Sequence, residues 1–223
     1  MKSFIQQFGS TEWQELITHH EERKIFRKGQ IIFHAGEQTK GLYIVTKGKV
    51  KITYRQYDGT ERLIRLARDG DVVGHRGFGG NWKYPISAQA MGDTQISFVP
   101  LNVFKIVAKT NPEFAYNFMI FFAEELRKSE AEIMKYPVKN LVARALLENY
   151  KVFGFEKADS TKLSFTLSRK DLASKAGTTY ETVVRVLAEL SKNNIILAEG
   201  KSIHILNMDE LMALSLPKHK KTK

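Results

Sequence analysis

Cysteine is absent from the 223-residue sequence, which excludes disulfides, thiol redox sensing and any iron–sulfur or zinc site held by cysteine. No uninterrupted apolar run reaches the ~18 residues expected of a transmembrane helix. Residues 1–7 lack the apolar core and the small-residue cleavage site of a secretory signal. We therefore expect a cytoplasmic protein without a membrane partner.

Positive charge is in excess, and the excess is unevenly distributed. Lys and Arg total 35 against 24 Asp and Glu, which gives a net charge of +11. Residues 1–134 carry 19 basic and 15 acidic side chains, whereas the shorter segment 135–223 carries 16 and 9. A basic excess of this kind suits contact with the phosphates of a nucleic acid.

A short helix, a tight turn and a second helix are predicted between residues 168 and 192. Ser168 precedes Asp171 by three residues, which is the pattern of a capped helix start. Gly177 is free to take the positive φ of a tight turn between helices. Either Thr178, with Glu181 three residues on, or Thr179 is then expected to cap the second helix.

The second helix, predicted over 179–192, has two distinct faces. At about 100° per residue, one face is apolar and is expected to pack inward; it holds Val183, Val186, Leu187 and Leu190. Glu181 and Arg185 lie on the opposite face. Arg is suited to donate two hydrogen bonds to guanine, and Glu to accept from cytosine. The alternative is an ordinary surface ion pair between Glu181 and Arg185.

Two short strands follow this helix. The runs 195–198 and 202–205 are β-rich and flank the turn 199–201, which contains a glycine. A capped helix, a glycine turn, an amphipathic helix and a hairpin together predict a winged helix-turn-helix. DNA binding is the function that this motif indicates.

The region between about residue 24 and residue 100 is typical of an all-β domain. Short β-rich runs are separated by glycine-centred turns, with no helix predicted between them; the runs are 30–33, 42–45, 50–54, 62–66 and 95–99. Asp58-Gly59 is a typical hairpin turn. This spacing predicts a small antiparallel barrel or jelly roll. A helix is predicted before it, over 10–22.

A long helix is predicted to start at Asn111-Pro112 and to stop before Pro137. Its apolar positions alternate in steps of four and three, with one polar exception, over Ala115, Met119, Phe122, Leu126, Ser129, Ile133 and Tyr136. Such a heptad seam predicts a parallel homodimer through residues 112–136. The alternative is a helix that packs on its own β-domain, as Phe114, Phe118 and Phe121 are expected to do. Another amphipathic helix is predicted over 138–153.

This order of elements resembles the Crp/Fnr family of bacterial transcription regulators. The most specific residues are Gly36-Glu37, 42–45 with Gly48, 70–74, and 177–183 with Arg185. The resemblance implies that Glu181 and Arg185 contact bases and that Thr179 and Thr182 contact phosphates. Tyr180 stands where the cyclic-AMP receptor type has Arg, so the half-site is expected to differ at one position. The full expected DNA-binding set is Ser168, Arg169, Thr178, Thr179, Tyr180, Glu181, Thr182, Arg185 and Lys201.

The sensing site departs from the family pattern. The resemblance implies a Glu for the ribose and an Arg for the cyclic phosphate, but His75 and Ile86 stand at those positions. Loss of the charged phosphate partner predicts weak or absent cyclic AMP binding. The oxygen-sensing branch needs cysteines for its iron–sulfur cluster, and the sequence has none. The candidate effector pocket consists of Gly74, His75, Arg76, Ser87 and Ala88. Because Arg76 can supply a positive charge there, an anionic ligand is not excluded.

We expect an α+β, homodimeric, sequence-specific transcription regulator with three parts: a β-roll sensing domain over 1–110, a dimerisation helix over 111–136 and a winged helix-turn-helix over 137–223. Its expected partners are a palindromic double-stranded DNA operator and a second copy, with RNA polymerase left open. No catalytic constellation, metal-ligand set or certain cofactor is found, so an enzyme is not expected, and an unknown small-molecule effector stays open. Two alternatives remain: a cyclic-nucleotide-responsive module acting on a protein partner, and a haem-based gas sensor using His75 or His34.

Overall fold

The computed structural model describes residues 20, 22–56, 59–131 and 136–216, with the backbone alone for 128–131. The chain divides into two compact units, Met1–Thr60 with Ala67–Met134, and Glu61–Leu66 with Lys135–Lys223. Apart from His20 and Glu22, the predicted helix over 10–22 lies outside the described residues. The turn residue Asp58, the seam side chains Ser129 and Ile133, and the basic tail 218–223 also lie outside them. No helix in the described ranges is long and apolar enough to cross a bilayer.

Two four-stranded sheets form the β-roll. One has the order β1-β8-β3-β6 and the other β2-β7-β4-β5. The strands are β1 Glu22–Phe26, β2 Ile31–Phe33, β3 Gly41–Lys47, β4 Lys49–Arg55, β5 Glu61–Arg68, β6 Val72–Val73, β7 Ser87–Ala90 and β8 Thr94–Pro100. The pairs β1–β8, β2–β7, β3–β6, β3–β8 and β4–β7 are all antiparallel. The predicted jelly-roll class is confirmed.

Alternation along the strands places the apolar core between the sheets. At the start of β4, Val50 and Ile52 are buried while Lys49 and Lys51, which alternate with them, are partly exposed, as a period of two requires. Glu22, which the predicted N-terminal helix included, instead opens β1 opposite Phe98. That prediction was wrong at its last residue because strand pairing with β8 overrides the local pattern.

Two helices cover one side of the roll. They are α1 Leu101–Thr110 and α2 Pro112–Ala131, and Asn111 Oδ1 accepts from the Phe114 N–H at 2.9 Å to cap α2. Helix α1 was not predicted, although its buried residues Val103, Phe104 and Val107 have helical spacing. They join a core with strand residues and with Phe114 and Phe118; the strand members are Leu42, Ile44, Val72 and Val99.

Helix α2 therefore has one face on its own unit and one face in solvent. Phe114 and Phe118 are buried and Phe121 packs beside them, which confirms the predicted flank. Of the predicted seam, Met119 and Leu126 are 57 % and 61 % exposed, whereas Ala115 and Phe122 are half-buried. Two residues outside the seam, Tyr116 and Ile120, are exposed as well. The exposed apolar face is thus turned somewhat away from the predicted seam.

The C-terminal unit is built on helices that enclose a small core. Its elements are α3 Val138–Phe153, α4 Arg169–Ala176, α5 Tyr180–Lys192, β9 Ile196–Glu199, β10 Ser202–Ile205 and α6 Met208–Ser215. The core includes fully buried residues from five segments, among them Leu146, Leu172, Leu190, Ile195 and Leu211. Helix α6 was not predicted; it begins at Asn207, whose side chain accepts from the Glu210 N–H at 3.0 Å, and it packs on α3.

Candidate nucleic-acid interface

Helix α4 begins with the predicted cap. The Ser168 hydroxyl accepts from the Asp171 N–H at 3.1 Å and donates to the Asp171 carboxylate at 2.7 Å. The short helix then buries Leu172, Ala173 and Ala176. Gly177 ends it with φ 63° and ψ 41°, a left-handed conformation that glycine adopts without steric cost. The two helices are therefore joined by the tight turn that the sequence predicted.

Thr179, and not Thr178, caps α5. Its hydroxyl accepts from the Thr182 N–H at 3.3 Å and donates to the Thr182 hydroxyl at 3.0 Å. The alternative capping box between Thr178 and Glu181 is wrong, because the Thr178 N–H closes the preceding helix on Ala173 O at 3.0 Å. The two Thr hydroxyls that the family resemblance assigns to phosphates thus lie together at the N-terminus of α5.

The two faces of α5 are separated as predicted. Its inward face is fully or almost fully buried and holds Val183, Val186, Leu187 and Leu190. Glu181 and Arg185 are exposed. Among the residues that the structure describes, neither side chain makes a hydrogen bond or an ion pair, with the other or with a third residue. The alternative of a surface Glu181–Arg185 pair is therefore not observed, and both groups keep their full hydrogen-bonding capacity.

The wing is a two-stranded hairpin with a tight tip. Glu199 pairs with Ser202, so Gly200 and Lys201 form the turn, and Lys201 is exposed. The Arg169 guanidinium donates to the Gly200 carbonyl at 3.1 Å. Arg169, expected from the sequence to contact DNA, therefore also ties the start of α4 to the tip of the wing.

A polar cluster at the base of the wing was missed by sequence reasoning. The Asp159 carboxylate accepts from the Thr161 hydroxyl at 2.7 Å and from the Thr161 N–H at 2.8 Å, and it lies 3.2 Å from His204 Nδ1 on β10. These two hydrogen bonds from Thr161 lower the pKa of Asp159, and the bond from the hydroxyl has the larger effect. The local signal was the Asp-Ser-Thr sequence, which is typical of a side chain bonding its own backbone two residues on.

The candidate effector residues meet different partners. Gly74 has φ 90° and opens a short 3-10 helix, His75–Gly77. His75 is buried and packs edge-on against Phe121 and Phe122 of α2, with ring centroids 4.8 and 5.7 Å apart. Its Nε2 lies 3.7 Å from the buried Glu125 carboxylate. His75 therefore faces the long helix.

Of the other candidate residues, Arg76 shares Glu125 with His75, whereas Ser87 and Ala88 lie on β7. Arg76 Nη2 lies 3.8 Å from the same Glu125 carboxylate. The Ser87 hydroxyl accepts from the Ala35 N–H at 2.9 Å, and Ala88 is fully buried in β7. The sequence did not single out Glu125, because it lies off the heptad seam and looks like any other charged residue of a long helix. Its role emerges only from the fold.

An aromatic stack fills the interior of the roll beside this turn. Tyr84 is buried and stacks on Phe33 at 4.2 Å, and its hydroxyl donates to the Gly41 carbonyl at 3.1 Å. A Cβ built on Gly77 would lie 2.7 Å from the Tyr84 ring, so the ring is packed directly against the turn. Burial, together with Tyr84, raises the pKa of Tyr43 above its ordinary value, so that Tyr43 stays neutral.

Two known domain families match the two halves of this architecture. The cyclic nucleotide-binding domain matches residues 23–111, and the Crp-like helix-turn-helix domain matches residues 142–214. The chain belongs to the Crp/Fnr family of transcription regulators. It is a DNA-binding regulator, and its relatives are regulators rather than enzymes, in agreement with the expectation from the sequence.

Similar proteins cover most of this chain. The fumarate and nitrate reduction regulatory protein of Vibrio cholerae is 28 % identical over 198 residues, which is 87 % of this chain and 79 % of that protein. The regulatory protein HlyX of Actinobacillus pleuropneumoniae is 27 % identical over 197 residues, 86 % and 80 % of the two chains. FixK2 from Bradyrhizobium japonicum shares the fold with a TM-score of 0.77 at 23 % identity, covering 88 % and 98 %.

Replacing the two observed helix caps should destabilise the C-terminal unit. Ser168→Ala and Thr179→Ala each leave an N–H of the first helical turn without its acceptor, at a cost of about 1 kcal/mol. Urea unfolding followed by circular dichroism measures this loss. Thr178→Ala is the matched control and should change the free energy of unfolding by under ~0.5 kcal/mol. An equal loss in the Thr178 variant would contradict the assignment of Thr179 as the cap.

Proposed function

We propose that this protein recognises a palindromic double-stranded DNA operator through Glu181 and Arg185 of α5, one helix from each of two copies. The observation that carries the proposal is the contrast between the two faces of α5. Its apolar face is buried in the unit, while Glu181 and Arg185 are exposed and make no hydrogen bond or ion pair with another described residue. A helix anchored in this way presents its outward side chains to the major groove.

The chemistry of these side chains fits base reading. An Arg guanidinium donates two parallel hydrogen bonds to guanine, and a carboxylate accepts from the cytosine amino group. Tyr180 is exposed but lacks the forked donors of Arg, so we expect a half-site that differs at one position from that of the cyclic-AMP receptor type. Hydroxyl and cationic groups around the helix are proposed to contact phosphates; they are Ser168, Arg169, Thr178, Thr179, Thr182 and Lys201.

Two copies are needed to read the two halves of a palindrome, and α2 offers the surface that joins them. Met119 and Leu126 are more than half exposed on a helix whose opposite face is buried. Because continuous apolar surface of this kind is usually covered by a partner, we propose a homodimer through residues 112–136. The two recognition helices would then be about one turn of DNA, ~34 Å, apart.

The β-roll is proposed to sense a signal other than cyclic AMP. Ile86 occupies the position of the phosphate-binding Arg and is buried, and His75 is directed to Glu125 on α2. The unit therefore supplies neither of the two family contacts to the nucleotide. We retain Gly74, His75, Arg76, Ser87 and Ala88 as the candidate effector pocket for an unidentified small molecule.

We propose a sensing domain over 1–110, a dimerisation helix over 111–136 and a DNA-binding domain over 137–223. The protein acts on DNA in the cytoplasm, and RNA polymerase is proposed as a further partner at promoters that it controls.

Removing the Arg185 side chain tests base reading. Arg185→Ala should cost about 1–3 kcal/mol of operator binding per half-site and relax specificity at one base pair. An operator selected from randomised duplexes, followed by gel shifts at a single salt concentration, gives the affinity and the sequence preference. Lys201→Ala is the control, since loss of a phosphate contact should weaken binding to all sequences alike. Unchanged selectivity in Arg185→Ala would contradict the proposal.

A charge in the exposed face of α2 tests the homodimer. Leu126→Glu places an unpaired carboxylate in an apolar interface, which should raise the dimer dissociation constant at least about a hundredfold. Sedimentation velocity measures the assembly state. Glu124→Lys changes an exposed residue beside this face and should leave the dimer in place. A Leu126→Glu protein that sediments like the wild type would argue against α2 as the interface.

Titration with cyclic AMP tests the sensing proposal. Because both nucleotide contacts are replaced, we expect no saturable heat of binding with cyclic AMP up to about 1 mM, the concentration that corresponds to about 4 kcal/mol of affinity. Operator affinity should likewise be the same with and without the nucleotide. A cyclic-AMP-binding member of the family serves as the positive control. Micromolar binding would show that other residues of the roll hold the nucleotide.

A further inference from the structure

A line of exposed apolar side chains runs along α5, beside the face that holds Glu181 and Arg185. Tyr180 and Val184 are 47 % and 43 % exposed, and Ala188 is exposed as well. They occur at steps of four residues and so lie one above the other on the helix surface. None of the three belongs to the buried face of α5. This line is therefore separate from the face that seats the helix.

Val184 is the residue in this line that most needs an explanation. A β-branched side chain has lower helix propensity than Ala or the straight-chain residues, so an exposed Val adds nothing to the stability of α5. It lies three residues after Glu181, so these two side chains are neighbours on the surface of α5. Isolated exposed apolar residues are common, but this one lies within the surface proposed to read bases.

The major groove of DNA offers one apolar group to such a side chain. Of the four bases, only thymine carries a methyl group on the major-groove edge, and apolar side chains pack against it. We propose that Val184, flanked by Tyr180, contacts the 5-methyl group of a thymine in each half-site. This inference rests on the proposed role of Glu181 and Arg185, and it adds a specific base to the operator.

The spacing along the helix places this thymine next to the base pair read by Glu181. Residues three apart on a helix face have Cβ atoms about 5–6 Å apart, and successive bases on one strand are separated by about 3.4 Å. A side chain three residues from Glu181 therefore reaches the neighbouring base pair. Glu181 and Val184 would thus read adjacent positions by a hydrogen bond and by apolar contact.

Replacing thymine by uracil removes this methyl group and nothing else. Duplexes selected by the full-length protein should show thymine beside the position whose preference is relaxed in Glu181→Ala. Changing that thymine to deoxyuridine should weaken wild-type binding about fourfold per half-site, as expected for one buried methyl group. Gel shifts with the two duplexes at one salt concentration give the thymine-to-uracil affinity ratio.

Variants assign the effect to Val184. In Val184→Ala the ratio should fall to about one, because the contacting methyl groups are gone, whereas Val184→Thr keeps one of them and should keep about half of the effect on a logarithmic scale. Val138→Ala is the matched control: Val138 is an exposed valine of the same unit, 39 % exposed at the start of α3, and its replacement should leave the wild-type ratio unchanged.

The outcomes separate this inference from the function on which it rests. A wild-type ratio of one, a ratio that persists in Val184→Ala, or a selected site without thymine at that position would overturn the methyl contact. In each of these cases an altered preference in Glu181→Ala and Arg185→Ala would still uphold base reading by α5. If those two variants select the same sequence as the wild type, the proposed function fails and this inference fails with it.

Discussion

The burial of one face of α5 is the constraint on which the proposed DNA-reading surface depends. Val183, Val186, Leu187 and Leu190 are almost completely removed from solvent, and burial of a side chain of this size stabilises a fold by about 1.5–3 kcal/mol. A rotation of the helix would expose these groups and bury Glu181 or Arg185 without a partner, which is strongly unfavourable. The apolar face therefore fixes which side chains of α5 face solvent. The left-handed Gly177 turn then sets where the helix begins.

At the turn after β6, His75 stands where the family resemblance implies Glu, and its side chain makes different contacts. A carboxylate at the position of His75 would be an acceptor for a ribose hydroxyl. The imidazole is instead buried between Phe121, Phe122 and Glu125 of α2. On the other side of the turn, the Tyr84 ring occupies the space beside Gly77. The turn is thus packed between an aromatic stack and the long helix. A change in its conformation would therefore alter the contacts of His75 with α2.

The sequence predicted those features that depend on local chemistry. The cap at Ser168, the turn at Gly177 and the two faces of α5 follow from residues within one or two turns of one another, and all three are confirmed. Helices α1 and α6 were missed although local signals exist for both, the spacing of Val103, Phe104 and Val107 in α1 and the cap at Asn207 in α6. Strands β1, β6 and β7 were missed because each is held by pairing with a strand distant in the sequence. The contact of His75 with Glu125 joins residues 50 positions apart, and no local pattern indicates it. The predicted DNA contacts and effector pocket stay predictions.

The exposed apolar groups of the two units differ in their surroundings, and this difference indicates different partners. On α2, Met119 and Leu126 are accompanied by the exposed apolar side chains of Tyr116 and Ile120, as in a surface that is buried by another apolar surface. On α5, Val184 lies beside the charged groups of Glu181 and Arg185, which would lose their hydration in a purely apolar interface. A nucleic-acid groove supplies hydrogen-bonding edges and a methyl group side by side. It therefore matches the mixed character of α5, whereas a second copy of the chain matches that of α2.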